Sequence, residues 1–164
     1  MLATVEEAEP LVGQWRRRFD PSASAGVPAH VTVLVPFLDI DRITDPVVGD
    51  LRTLIGARSS FTVRFEECRR FPEVLYLAPT PDQPFRALTE SIAKRWPEAP
   101  PYEGQFTEVI PHLTVAHGQQ RQIFEELEAE LADQLPATAT ISSVSLFVSD
   151  GHRWRLHMEF PMLG

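Results

Sequence analysis

Two stretches of the chain carry side chains suited to acid–base chemistry at a phosphate. They are Pro28-Ala29-His30-Val31-Thr32-Val33 and Pro111-His112-Leu113-Thr114-Val115. In an extended strand, residues two apart point the same way. His30 and Thr32 therefore share one face, and Val31, Val33 and Val35 share the other. His112 and Thr114 pair in the same manner, with Leu113 and Val115 turned to the core. An imidazole titrates at about pH 6.5, so one ring can be neutral while another is protonated near neutrality. A neutral ring can take a proton from water or a hydroxyl, and an imidazolium can give one to a departing alkoxide. Threonine hydroxyls can donate to the nonbridging oxygens of a phosphate, where charge develops. Hydrolysis of a strained cyclic phosphodiester needs no metal by this route. A single His-x-Thr in a strand is most simply structural. Two of them at matching points of a repeated pattern carry far more weight.

The elements that must hold these groups repeat as well. Leu2 to Val5 reads as a short strand, and Ala8 to Phe19 as a helix with Leu11, Val12, Trp15 and Phe19 along one face. Asp20 to Pro28 is a loop by composition, and His30 to Pro36 is a valine-rich strand. Asp45-Pro46 starts a helix with Val47, Val48, Leu51, Leu54 and Ile55 on one stripe. Phe61 to Glu66 and Val74 to Ala78 read as an antiparallel pair with a longer connection. Pro84 to Trp96 is a helix, Pro97 to Pro111 is irregular, and His112 to His117 is a strand. Gln119 to Leu135 is an amphipathic helix. Thr138 to Ser149 and His152 to Phe160 are strands joined at the turn Asp150-Gly151. From Ala8 the order is helix, strand, helix, strand, strand, and it recurs from Pro84. This predicts an α+β domain over 1–164, with two similar lobes from an internal duplication, roughly 8–78 and 84–160. Each lobe is expected to be an antiparallel sheet with helices, and the active-site groove lies between them.

The paired His-x-Thr words resemble the 2H phosphoesterase superfamily, in its 2′-5′ RNA ligase-like branch, and the two-lobed order extends the resemblance over essentially the whole chain. That family is defined by two His-x-Thr/Ser-x motifs, one per lobe. The resemblance implies that His30 and His112 are the catalytic pair, that Thr32 and Thr114 contact the phosphate, and that no cofactor is required. It implies action on 2′,3′-cyclic phosphates of nucleotides or RNA ends. Which histidine is the base stays open. The alternatives are a noncatalytic nucleotide- or RNA-binding module on the same fold, and a 2′-5′ RNA ligase.

Composition narrows the substrate. The chain has 164 residues, 15 basic and 23 acidic, for a net charge of −8. That excludes coating nucleic acid by charge alone and favours a small nucleotide or an RNA terminus over a long RNA. Lys94 is the only lysine, and Cys68 the only cysteine, so no internal disulfide is possible and the cytoplasm is the expected setting. Cys68 beside Arg69 and Arg70 has no partner for catalysis. No apolar run is long enough for a bilayer, no secretory signal is visible, and no protein partner is called for. His112 and His117, and likewise His152 and His157, are five apart and fall on opposite strand faces, so a dedicated metal site is not expected. There is no glycine-rich phosphate loop and no nucleophile elbow.

Four further residues are candidate substrate contacts. Arg153 and Arg155 share a face of the last strand, either solvated or reaching the phosphate. His152, Trp154, Leu156, Met158 and Phe160 take the other face and are expected to pack the core. Tyr102 and Phe106, in the proline-rich stretch, either anchor a loop or stack on a base over the groove. The run Glu125 to Glu130 reads as a solvated helix face.

Overall fold

The computed structural model describes all of residues 1–164. Eight strands, β1 (Leu2–Thr4), β2 (His30–Thr32), β3 (Phe61–Phe71), β4 (Val74–Thr80), β5 (Leu113–His117), β6 (Ala137–Ile141), β7 (Ser143–Ser149) and β8 (Trp154–Pro161), form two four-stranded sheets. Their orders are β2-β1-β7-β8 and β5-β4-β3-β6, with antiparallel pairing throughout. Five helices accompany them: α1 (Glu9–Phe19), α2 (Pro21–Ser24), α3 (Asp45–Gly56), α4 (Gln83–Arg95) and α5 (Arg121–Ala132). The α+β class and the two-lobed arrangement match the sequence-based expectation.

Sheet membership corrects the expectation that each sequence repeat builds its own lobe. Each sheet takes two strands from either half: β1 and β2 with β7 and β8, and β3 and β4 with β5 and β6. The physical cause is the connection between β6 and β7. Thr138 to Ser149 is not one strand. It breaks at Ser142, and the chain passes there from the outer edge of one sheet into the interior of the other. The halves are thereby interlocked, and one continuous core of 34 buried residues serves both sheets.

Three smaller differences have local reasons. Asp20 to Pro28 is not all loop, because the Asp20 carboxylate caps α2 by accepting from the Ser22 N–H at 2.9 Å. β3 runs on to Phe71, so the link to β4 is only Pro72-Glu73; a register shift between Phe65 and Cys68 breaks the alternation there. Of the apolar face expected in β8, Phe160 is buried and Met158 packs against the core, but Trp154 and Leu156 are exposed, Leu156 at 56%. β1 pairs with β7 only at Ser145, so the far end of the β7–β8 hairpin extends past its strand neighbour. That end is met only by the α2–β2 loop, where the Trp154 N–H donates to the Ala25 carbonyl at 2.8 Å, which leaves the Trp154 and Leu156 side chains uncovered.

The two sheets meet along their β2 and β5 edges. Each edge strand is backed by a helix that follows a strand of the opposite sheet. α1, after β1, packs against β5. α4, after β4, reaches the end of β2, where the buried Thr89 hydroxyl donates to the carbonyl of Val33, the residue after the strand, at 2.6 Å. This reciprocal bracing holds the motif strands side by side.

Candidate active site

The alternation expected in both motifs is present. Val31, Val33, Leu113 and Val115 are at most 1% exposed, while His30, Thr32, His112 and Thr114 are half-buried on the other side. His30 opens β2, and His112 immediately precedes β5. Because β2 and β5 lie against each other, the seam between the sheets gathers both His-x-Thr pairs.

The two imidazoles are anchored alike. His30 Nδ1 lies 2.8 Å from the Pro28 carbonyl, and His112 Nδ1 lies 2.7 Å from the Ile110 carbonyl, each two residues back. A carbonyl oxygen only accepts, so Nδ1 carries the proton in both rings. Nε2 is left as the unprotonated nitrogen of each neutral ring. Burial lowers both pKa values, against the opposing effect of the carbonyl bonds. The His30 value falls to about 4, with the Arg16 guanidinium adding to the depression. His112 is also lowered by burial. Both rings are therefore neutral at pH 7 without an anion nearby.

The surroundings differ. Behind His30 stand the buried Arg16 of α1 and Asp20, which links α1 to α2, at 2% and 5% exposure. The Arg16 guanidinium donates to Asp20 Oδ2 through both Nε, 3.2 Å, and Nη2, 2.9 Å, and to the Ser22 hydroxyl at 3.2 Å. Such a pair satisfies charges that would be costly alone. His112 instead stands edge-on to Phe71 and Tyr76, with ring centroids at 5.2 and 5.4 Å, and those two rings stack on each other. The register Arg69↔Tyr76↔Thr114 puts Arg69 on the same sheet face as Thr114. Arg69 is exposed and pairs with Glu67 at 2.8 Å.

The candidate contacts divide. Tyr102 reaches the site: its N–H donates to the Val35 carbonyl at 2.6 Å, and its phenol contacts the Thr32 side chain. Burial pushes the phenol pKa up, and the Thr32 contact works against that. Tyr102 and Glu103 hold φ of 50° and 55°, a left-handed backbone that costs non-glycine residues roughly 1 kcal/mol or more each. The Tyr102 bonds to β2 offset part of that cost. Phe106 packs edge-on to Tyr102 at 5.4 Å and is 59% exposed. Arg153 precedes β8 and Arg155 lies on it, three strands across the sheet from β2. Arg155 is 3.7 Å from Asp150 in the hairpin turn. Neither arginine is hydrogen-bonded to a motif residue, although Trp154 between them donates its N–H to the Ala25 carbonyl in the loop that leads to His30, at 2.8 Å.

Sequence reasoning passed over Arg16, Asp20, Phe71, Tyr76 and Arg69 as site-lining groups. Arg16 was legible in principle, since it shares the apolar stripe of α1 with Val12 and Phe19. The β3 and β4 residues were concealed by the register shift in β3. No cluster of three His, Cys, Asp or Glu side chains is placed to hold a metal ion. A cavity of about 600 Å³ ringed by Glu6, Glu7, Glu159 and four hydroxyl residues contains neither histidine, and its charge is wrong for a phosphate.

The family model of the 2′-5′ RNA ligase superfamily matches residues 4–153. The chain belongs to that superfamily. An inferred phosphoesterase of Bacillus pumilus is 29% identical over 115 residues, 68% of this chain and 64% of its own length. A second, from Bacillus cereus, is 30% identical over 113 residues, 63% of this chain and 59% of its own. The matches thus span about three-fifths of the length of these curated relatives. Escherichia coli LigT in its apo form has the same fold, with a TM-score of 0.60 at 16% identity over 99% of this chain and 95% of LigT. LigT has also been solved in complex with 3′-AMP, and that structure gives 0.57 at 15% identity, covering 98% and 95%. TT0787 of Thermus thermophilus gives 0.59 at 14%, covering 98% and 94%. No helix is long and apolar enough to cross a membrane.

Proposed function

We propose that this 2′-5′ RNA ligase superfamily member is a metal-independent phosphodiesterase that hydrolyses 2′,3′-cyclic phosphates of nucleotides or RNA ends. The observation that carries this reading is the matched pair of imidazoles, each with Nδ1 tied to the carbonyl two residues back and Nε2 free, and each followed two residues on by threonine. The complex of LigT with 3′-AMP is in keeping with a nucleotide monophosphate at such a site.

His30 is the general base. It is the ring whose pKa is depressed to about 4, so its Nε2 is free to accept across the neutral range. Water loses its proton to His30 Nε2 as its oxygen bonds to phosphorus. The bond to one ribose oxygen breaks, and His112, as the imidazolium, gives that oxygen its Nε2 proton. The anionic phosphate beside His112 offsets the burial that lowers its pKa and brings the ring its proton. Thr32 and Thr114 donate to the nonbridging oxygens, and Arg69 faces the charge from the β3 side. Tyr102 fixes the Thr32 hydroxyl. The acidic balance of the chain favours a nucleotide or a short RNA terminus over a duplex or long strand.

The test is hydrolysis of 2′,3′-cyclic mononucleotides in excess EDTA by the wild type, His30→Ala and His112→Ala. Turnover by the wild type and its loss in both variants is the expected result. Binding of the nucleotide without turnover, by a folded wild type, would leave a binding module. Joining of labelled RNA halves would assign the ligase reading.

A further inference from the structure

The two anchoring peptides are not equivalent. The Pro28–Ala29 peptide accepts from His30 Nδ1 through its carbonyl, and it still has an N–H, that of Ala29. That N–H donates to Glu9 Oε1 at 2.5 Å. The carboxylate, the amide and the imidazole therefore form one hydrogen-bonded chain. At the other histidine the anchoring peptide is Ile110–Pro111, and proline has no N–H to give. No acceptor can extend that chain.

We propose that Glu9 is a positioning residue for His30, acting through the Pro28–Ala29 peptide to make this histidine a stronger proton acceptor than its burial alone would leave it. The physical basis is cooperative. An amide whose N–H is held by an anion has a more negative carbonyl oxygen. That oxygen stabilises the more acidic Nδ1–H of an imidazolium more than it stabilises the neutral ring. The arrangement is a carboxylate–histidine couple with a peptide inserted between the partners. It rests on the assignment of His30 as the base, and it opposes the burial that lowers His30 basicity.

Gly13 supplies a second, independent observation. A Cβ built on Gly13 would stand 2.6 Å from Glu9 Oε2. Glycine inside a helix costs about 0.5–1 kcal/mol relative to alanine. Here its lack of a side chain leaves room for the Glu9 carboxylate to fold back over the next turn of α1 and meet Ala29. The other charged and titratable groups around His30 are Arg16 from α1, whose Nη1 also lies 3.9 Å from Glu9 Oε1, Asp20 just after α1, and the buried Met1 amine, with Tyr102 beyond Thr32 and His112, just before β5, across the seam.

The experiment is NMR of the full chain with ¹⁵N-labelled histidine, in wild type, Glu9→Gln and Gly13→Ala. Glu9→Gln keeps an oxygen for the Ala29 N–H and removes only the charge. The expected result is that the His30 Nδ1–H resonance moves upfield and that His30 titrates about half a pH unit or more lower, with His112 unmoved. Gly13→Ala gives the same direction of change, because the methyl displaces Glu9, and its helix-propensity gain works against the loss of the Ala29 bond, so a parallel thermal melt shows that the chain still folds. kcat/KM on a 2′,3′-cyclic mononucleotide falls several-fold in both variants, with nucleotide KM little changed. If His30 keeps its resonance and titration in both variants, or if His112 shifts equally, the proposal is wrong. A His30 shift in a wild type that turns over no cyclic phosphate would sustain the Glu9 coupling and overturn the phosphodiesterase reading instead.

Discussion

The His30 side and the His112 side of the seam have the same skeleton and different surroundings. Both histidines stand at the start of an edge strand, both tie Nδ1 to the carbonyl two residues back, and both are followed by threonine at the second position. Around His30 the fold places charge: the buried Arg16–Asp20 pair, and Glu9 behind the anchoring peptide. Around His112 it places the stacked rings of Phe71 and Tyr76, with no charged group in hydrogen-bonding contact. Duplication alone would give two interchangeable histidines. A base and an acid need unlike environments, and the unlikeness lies in what each half packs against its motif.

The comparison breaks most severely if the roles can be exchanged. His30→Gln and His112→Gln are each expected to lose about 10²- to 10⁴-fold in kcat on a 2′,3′-cyclic mononucleotide. An aryl phosphodiester, whose phenolate leaves without a proton, should separate them. It restores much of the rate to His112→Gln and little to His30→Gln. Rescue of the His30 variant alone would reverse the assignment.

The pH dependence sharpens the same contrast. On the proposed assignment, catalysis by the free protein needs His30 neutral and His112 protonated. As pH falls through about 4, His30 takes up a proton and kcat/KM declines. As pH rises through the His112 pKa, which burial holds below its ordinary value, kcat/KM declines again. The expected bell has its maximum on the acid side of neutrality, and kcat, governed by the nucleotide complex, has its basic limb at higher pH. Stability follows from the same burial. A histidine whose charged form is disfavoured in the fold leaves stability intact above its unfolded value of about 6.5. Below that, stability erodes as pH falls toward 4, by at most ~1.4 kcal/mol for each pH step of one. Thermal melts of wild type and His30→Gln between pH 4 and 7 measure this, and the variant should show the shallower slope.

How much of this was legible beforehand depends on the kind of signal. The motif strands, the α+β class and the main helices were readable because period-2 and period-3.6 patterns report local burial directly. His30, Thr32, His112 and Thr114 could be named for the same reason, since two positions of spacing fix a shared strand face. The exchange of strands at Ser142 was not legible, because a serine between two alternating runs does not say which sheet each run joins. The Tyr76 and Arg69 neighbourhood depends on register across three strands, which a one-residue slip reverses. Glu9 lies 20 positions from the amide it holds, and its only local trace is a glycine in the middle of α1.

The smallest expected effects concern the arginines. Arg69 shares the Thr114 face, whereas Arg153 and Arg155 belong to the far edge of the other sheet. Arg69→Ala should raise the KM for a cyclic nucleotide several-fold with kcat nearly intact, since an exposed cation aids capture of the anion more than the chemical step. Its exposed bridge to Glu67 contributes about 0–1 kcal/mol, so folding should be little affected. The double change Arg153→Ala, Arg155→Ala should leave both constants unaltered. A raised KM in that double variant, with Arg69→Ala silent, would mean that the phosphate is met from the β8 side, and the cation of the site would have to be sought on the long β7–β8 hairpin.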